Sequence, residues 1–486
     1  MSVLTRLLAL AALATFPMET TPQAVAQASR TALARGTFAI TGVSVVPMTS
    51  DTLLTEATVV VRDGRIASVG PSRSVALPKG ARRIDGRGRY LIPGLADMHT
   101  HLYSDEEVPD SVAPYELGVM VANGITTARL MIGTPEHLVL RRELIAGRIV
   151  GPQLWVASPQ FTGEEGTNAR IVTDPEDARA AVRAMRAAGY DFIKLTTEIS
   201  VPVYDAIVEE GARSGIRIIG HVDPRVGVRR ALAAHQQIEH LDNYLETVLA
   251  DSAPMKTSVS NYGVFRPAFW ESLDYVDDTK VREIAEATVK AGVWSTPTLA
   301  IFNTAFARGE TDEAMRSRPD WAMIPPKVRA LYLKARTKYW QTAATETRRK
   351  RYIDTRNTIT RLIAENGGKL LAGSDTPEWL MAYGWTLHRE LEHFVEAGLS
   401  PYQALVTATR NPAEFLGASR EWGTIEAGKR ADLVLIAGNP LEDIRNTARI
   451  EGVAVGGRWL ERPELDRMIA MASQRLEGAP PEQAGR

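Results

Sequence analysis

The 486-residue chain contains no cysteine. That excludes disulfides, thiolate-ligated zinc, a cysteine nucleophile and a lipid-bearing N-terminal cysteine. Charge of one sign is also lacking: 57 Lys and Arg stand against 58 Asp and Glu, a formal net charge of -1. Bulk electrostatics therefore gives no reason to expect nucleic acid as a partner. The basic stretch TETRRKRY, Thr345 to Tyr352, reads as a solvated helix face. No run reaches the roughly 20 apolar residues that a membrane-spanning helix needs. The apolar stretch Leu7 to Phe16 is shorter, follows Arg6 and is succeeded by Ala26-Gln27-Ala28. This is the pattern of a signal peptide over residues 1–28, so export to the periplasm or beyond is the expectation. Histidine is scarce too, with 8 in the whole chain, yet His99 and His101 are separated by a single residue.

What is present organises itself by period. From Phe38 to Tyr90 alternating apolar runs are punctuated by turns, and Asp63-Gly64 between two of them is a hairpin signal. After Leu91 the rhythm becomes amphipathic helix, glycine stop and short apolar strand, as in DARAAVRAMRAAGYDFIKL and VPVYDAIVEEGARSGIRIIGHV. That repeat belongs to a parallel α/β protein, and residues 91–418 hold enough units for a (β/α)8 TIM barrel. Ser400, Pro401 and Gly417 frame one helix near its end. Residues 419–462 return to strands. With residues 38–90 they are expected to form a small composite β-sandwich, followed by a polar tail over 463–486. The interval between about 300 and 368 is overlong for one unit and reads as an insertion, a lid or an assembly surface.

Barrels of this kind keep their chemistry at the C-terminal ends of the strands. There stand His99 and His101 in GLADMHTHL, Lys194 in FIKL, His221 in IIGHV, His240 in QIEHL and Asp375 in LLAGSD. In a strand, residues i and i+2 share a face, so His99 and His101 present both imidazoles to one point. Any one of the six has an ordinary explanation: a core histidine, or a helix N-cap for Asp375. Lys194 alone in an apolar strand is costly unless paired or modified. Six at the same end of successive units make a metal site.

The sequence resembles the amidohydrolase superfamily, in the branch with imidazolonepropionase-like and prolidase-like members. GLADMHTHL matches its strand-one motif and GSDTP its strand-eight motif. NPAEFLG followed by GTIEAGKRADLVL matches its return to the β region. The resemblance implies two divalent metal ions, with zinc the expected element. His99, His101 and Asp375 would hold the more buried ion, and His221 and His240 the second. Lys194 would bridge them as an N6-carboxylated lysine. Metal-bound hydroxide would be the nucleophile and Asp375 the proton carrier. Tyr103, Arg129 and Tyr244, just beyond strand ends, are candidate contacts to a small-molecule substrate. Relatives often follow Arg129 with Asp where this chain has Leu130. His137, His235, His388 and His393 have no ligand slot.

The expected activity is hydrolysis of a carbon–nitrogen bond, foremost in a dipeptide or N-acyl amino acid, by a homo-oligomer without a membrane span. The alternatives are a cyclic-amide or lactam hydrolase, a mononuclear deaminase, a lactonase or esterase, and a non-catalytic binding protein on the same fold.

Overall fold

The computed structural model describes residues 36–102, 113–166, 168–255, 264, 266–307, 311–324, 326, 329–330, 333–334, 343–377 and 380–477. Residues 1–28, expected to be a signal peptide, and Tyr103 lie outside these residues. In chain order the first strands are β1 (Phe38–Val45), β2 (Leu54–Arg62), β3 (Arg65–Pro71), β4 (Arg82–Asp85) and β5 (Tyr90–Pro93). Then come β6 (Leu95–Thr100), β7 (Ile125–Leu130), β8 (Gln153–Val156), β9 (Gln160–Thr162), β10 (Ala169–Ile171) and β11 (Phe192–Leu195). They are followed by β12 (Arg217–Gly220), β13 (Gln237–Glu239), β14 (Trp294–Thr296), β15 (Lys369–Leu370), β16 (Leu433–Ile436), β17 (Ile450–Val455) and β18 (Arg458–Glu461).

The two ends of the chain do pair with each other, because β5 lies beside β1 on one side and β16 on the other. The product is one eight-stranded sheet, not the expected two-layer sandwich. Within β1 the side chains facing its core run Phe38, Ile40, Val43 and Val45. The switch of parity falls at Gly42, at φ +68°, where pairing with β2 slips. A bulge of this kind keeps apolar residues on one face across a register change. Asp63 and Gly64, both at positive φ, form the two-residue turn between β2 and β3.

The central region is α/β with parallel sheets. β6, β7 and β8 form one parallel sheet, and β11 to β15 run parallel in a second, extended by β9 and β10. Among the described residues a single closed ladder of eight strands, as expected from the repeat, is not formed. The ladder is interrupted at two seams, each crossed by an isolated parallel bridge: Ala157 with Phe192, and Thr100 with Thr376. The causes are local. β15 is only two residues long, and β9 occupies part of the β11 edge at Leu195.

The connecting helices follow their punctuation. Asp174 caps helix Pro175–Ala188, which ends on Gly189 at φ +94°, and Asp277 caps helix Asp278–Ala291. The basic stretch at Thr345 does begin a helix, Glu346–Glu365. Arg348 and Arg351 pair there with Asp274 and Asp278, while Tyr352 is buried. The helix opened by Ser400 is in fact two, Pro401–Thr407 and Arg410–Phe415. Pro412 has no N–H for the carbonyl of residue 408 and its ring crowds that carbonyl, so the helix breaks there. Of the expected polar tail, residues 478–486 lie outside the described residues, and Arg462–Glu477 is a helix. Its Leu465, Met468, Ile469 and Ala472, at helical spacing, join the main core with Leu117 and Val121 of helix Ala113–Ala122. Among the described residues no helix is long and apolar enough to cross a membrane.

Candidate metal centre

The end of β6 and the segment after β15 are tied together by their backbones. Asp375 and Ser374 donate their N–H groups to the His99 carbonyl at 2.7 and 3.1 Å. Asp97, two residues before His99 on the same strand, accepts the Ser374 N–H at 3.0 Å and also its hydroxyl. Only glycine fits at position 373, since a Cβ there would lie 2.7 Å from His99 Cβ and 2.6 Å from Thr296 Cγ2. This close approach brings Asp375, at φ +56°, against both histidines of the motif. Its Oδ1 is 3.2 Å from His99 Nε2 and 3.1 Å from His101 Nε2. One donor atom from each of these three residues falls within 4.8 Å of the others, a grouping able to hold a metal ion.

His240 and His221 continue the cluster. The His240 ring centre lies 4.6 Å from that of His99 and 4.8 Å from that of His221, and His240 Nδ1 is 3.8 Å from Asp375 Oδ2. Lys194 reaches the interior from β11 past Gly220, where a Cβ would come 2.9 Å from Lys194 Cδ and 2.4 Å from the Leu195 carbonyl. The lysine is 1% exposed, and its Nζ makes no hydrogen bond among the described residues. Burial drives its pKa down, against the pull of Glu239, Asp375 and Asp242. Burial likewise lowers His221 and His240.

Three of the four histidines have Nδ1 held by a neighbouring polar group. His99 Nδ1 meets Glu239 at 2.7 Å, His221 Nδ1 meets Asp242 at 2.7 Å and His240 Nδ1 meets Thr298 Oγ1 at 2.7 Å. A carboxylate accepts, so Nδ1 of His99 and His221 carries the proton and Nε2 keeps its lone pair, the tautomer a metal needs. Burial works to raise the Glu239 carboxyl, but Arg129, His99 and Lys194 hold it down at about 2. Asp375 is held well below the usual range: burial opposes this, and His99 and His240 overcome it. Nitrogen and oxygen donors, oriented imidazoles and a buried lysine with no hydrogen bond among the described residues fit a divalent-metal centre.

The profile of the amidohydrolase family matches residues 90–460. This chain belongs to that family. The expectation of a metal-dependent hydrolase of carbon–nitrogen bonds agrees with it. Among solved structures, a bottromycin amidohydrolase superposes with a TM-score of 0.71 at 25% identity, covering 92% of this chain and 91% of that one. A candidate prolidase from Bifidobacterium longum gives 0.64 at 26%, covering 90% and 99%. By sequence, adenine deaminase 3 of Rhizobium meliloti (strain 1021) is 23% identical over 394 residues, 78% of this chain and 51% of that protein. The chain thus spans about half the length of the adenine deaminases it matches. An imidazolonepropionase from Saccharopolyspora erythraea is 37% identical over 112 residues, 20% of this chain and 28% of the relative.

Two expected substrate contacts in this amidohydrolase are corrected. Arg129 is fully buried and spends its guanidinium on Glu239 at 2.7 Å, Gln237 at 2.9 Å and the Met98 carbonyl. Tyr244 is buried and its hydroxyl meets Thr288 at 2.8 Å. Both point into packed protein because strand alternation and the short helix after β13 turn them from the cluster. The other histidines are structural as expected. His137 closes a capping box with Thr134, exposed His235 meets the Ala291 carbonyl, and His388 and His393 are buried in a helix. The residues sequence reasoning passed over are the orienting ones: Glu239, Asp242, Thr298 and Arg129 in its actual role. The signal was Gln237 and Glu239, two polar residues on one face of a buried strand.

Proposed function

We propose that the chain is an exported, two-metal amidohydrolase on a (β/α)8 barrel with a composite β unit, cleaving the amide bond of a dipeptide or N-acyl amino acid. The observation that carries the two-metal part is Lys194, a buried amine that makes no hydrogen bond among the described residues and acts electrostatically on His221 and His240. A bare ammonium in such a place costs several kcal/mol, roughly. As a carbamate it would instead supply an anion between the two sets of ligands. His99, His101 and Asp375 would hold one ion, His221 and His240 the other, with Lys194 shared. Divalent ions held there would polarise the scissile carbonyl and acidify a water.

The chain's own groups do the rest. His101, His221 and Asp375 keep 12%, 12% and 11% of their side chains exposed, so solvent and substrate meet the cluster on their side. Asp375 takes a proton from the attacking water and delivers it to the leaving nitrogen as the carbon–nitrogen bond breaks. Glu239 and Asp242 hold His99 and His221 in the ligating tautomer while this happens. Likeness to the candidate prolidase at 26% identity supports a linear amide. The adenine deaminase relatives favour a second reading, a deaminase; were it mononuclear, Lys194 would have no use.

Amine release from dipeptides, N-acyl amino acids, cyclic amides and adenine separates these readings, with zinc-loaded wild type as the enzyme and Asp375→Asn as the blank. Linear-amide cleavage supports the proposal. Ring opening alone moves it to lactams, and ammonia from adenine alone overturns it.

A further inference from the structure

The loops that follow β13 and β14 are strained where they face each other. His240 and Thr298 sit at φ +61° and +47°, and a β-branched residue in that region is an outlier that its surroundings must enforce. The Thr298 hydroxyl donates to the Pro297 carbonyl at 2.8 Å. Its hydrogen is spent there, so its oxygen accepts from His240 Nδ1 at 2.7 Å. That leaves His240 Nε2 with the lone pair.

The enforcement comes from the overlong interval between β14 and β15. Arg356, on helix Glu346–Glu365 and 2% exposed, donates to the His240 carbonyl at 2.9 Å and to the Pro297 carbonyl at 2.7 Å. Its guanidinium lies 4.5 Å from the centre of the Phe302 ring, which in turn is 5.4 Å from the His240 ring. One cation thus grips the backbone of a ligand residue and the carbonyl that aims the threonine hydroxyl. Lysine cannot reproduce this, because only the planar fork reaches two carbonyls at fixed spacing.

We propose that Thr298 and Arg356 are positioning residues that fix the tautomer and ring angle of His240, and so set how tightly the ion on the His221–His240 side is held. The proposal rests on the two-ion reading. It gives the helix before β15 a direct mechanical hold on the metal centre.

The test is release of zinc from the loaded full-length protein to a chromophoric chelator. Wild type should release two equivalents. Thr298→Val keeps the branched shape and removes only the hydroxyl; it should release one equivalent roughly 10–100-fold faster, with the other unchanged. Thr298→Ser should behave as wild type. Arg356→Lys should fall between, with a thermal melt as the check that it folds. The threonine pair stands by itself if it does not. Release from Thr298→Val at the wild-type rate would overturn the proposal. A single equivalent from wild type would instead defeat the two-ion reading. The valine variant's rate for that one ion would then decide the clamp: faster supports it, unchanged refutes it.

Discussion

His99, His101 and Asp375 already touch, both imidazole Nε2 atoms lying 3.1–3.2 Å from one carboxylate oxygen. On the other side of the cluster, the Lys194 amine has no hydrogen-bond partner among the described residues. The first set spans a seam, β6 against the segment after β15, where backbone bonds and the Asp97–Ser374 pair draw the residues together. The second comes from adjacent strands of one continuous parallel ladder, β11 to β13, which bring the His221 and His240 rings to 4.8 Å of each other and bury the Lys194 amine in the same interior. One half is assembled by the fold alone. The other, in the proposed two-metal reading, is complete only when an anion joins it.

That contrast can be broken from either side. The largest effect is expected from Asp375→Asn, which removes the charge both histidines of the assembled half face: amide hydrolysis should fall by about 10³-fold or more, read as amine release. Lys194→Met comes next, with opposite signs in two assays. Activity should be lost with one ion, yet the metal-free protein should melt higher, by about 1–3 kcal/mol of stability, because a buried amine with no hydrogen bond among the described residues is replaced by a packed apolar side chain. An unchanged melt would mean the lysine is not a liability.

The anchors sharpen the comparison further. Glu239→Gln and Asp242→Asn should each weaken zinc binding, measured by competition, by roughly 10–100-fold on their own side of the site. Glu239→Gln should also destabilise the fold, since it strips the buried Arg129 of its counter-charge. Tyr244→Phe should do least: kcat and KM unchanged and about 1 kcal/mol of stability lost, since its hydroxyl bonds Thr288 away from the cluster.

The candidate ligands were legible because their spacing is a strand's own period. His99 and His101 had to share a face, and Lys194 stood out as the charge in FIKL. The orienting groups were not, because their meaning depends on what lies across the protein. Glu239 is an ordinary strand residue until Arg129 and His99 are seen on either side of it. Thr298 is similar, its role set by a backbone angle that no composition reveals. The repeat announced eight strands but not the seams, which depend on how far each ladder runs. The last helix was within reach. Leu465, Met468, Ile469 and Ala472 carry helical spacing, outweighed in the reading by the polar residues around them.

The most direct test of the central claim is the metal-to-protein ratio of the zinc-loaded wild type beside Lys194→Met, by elemental analysis. A centre with one assembled half and one half completed by Lys194 requires two ions per chain in the wild type and one in the variant. The same ratio in both proteins would contradict it.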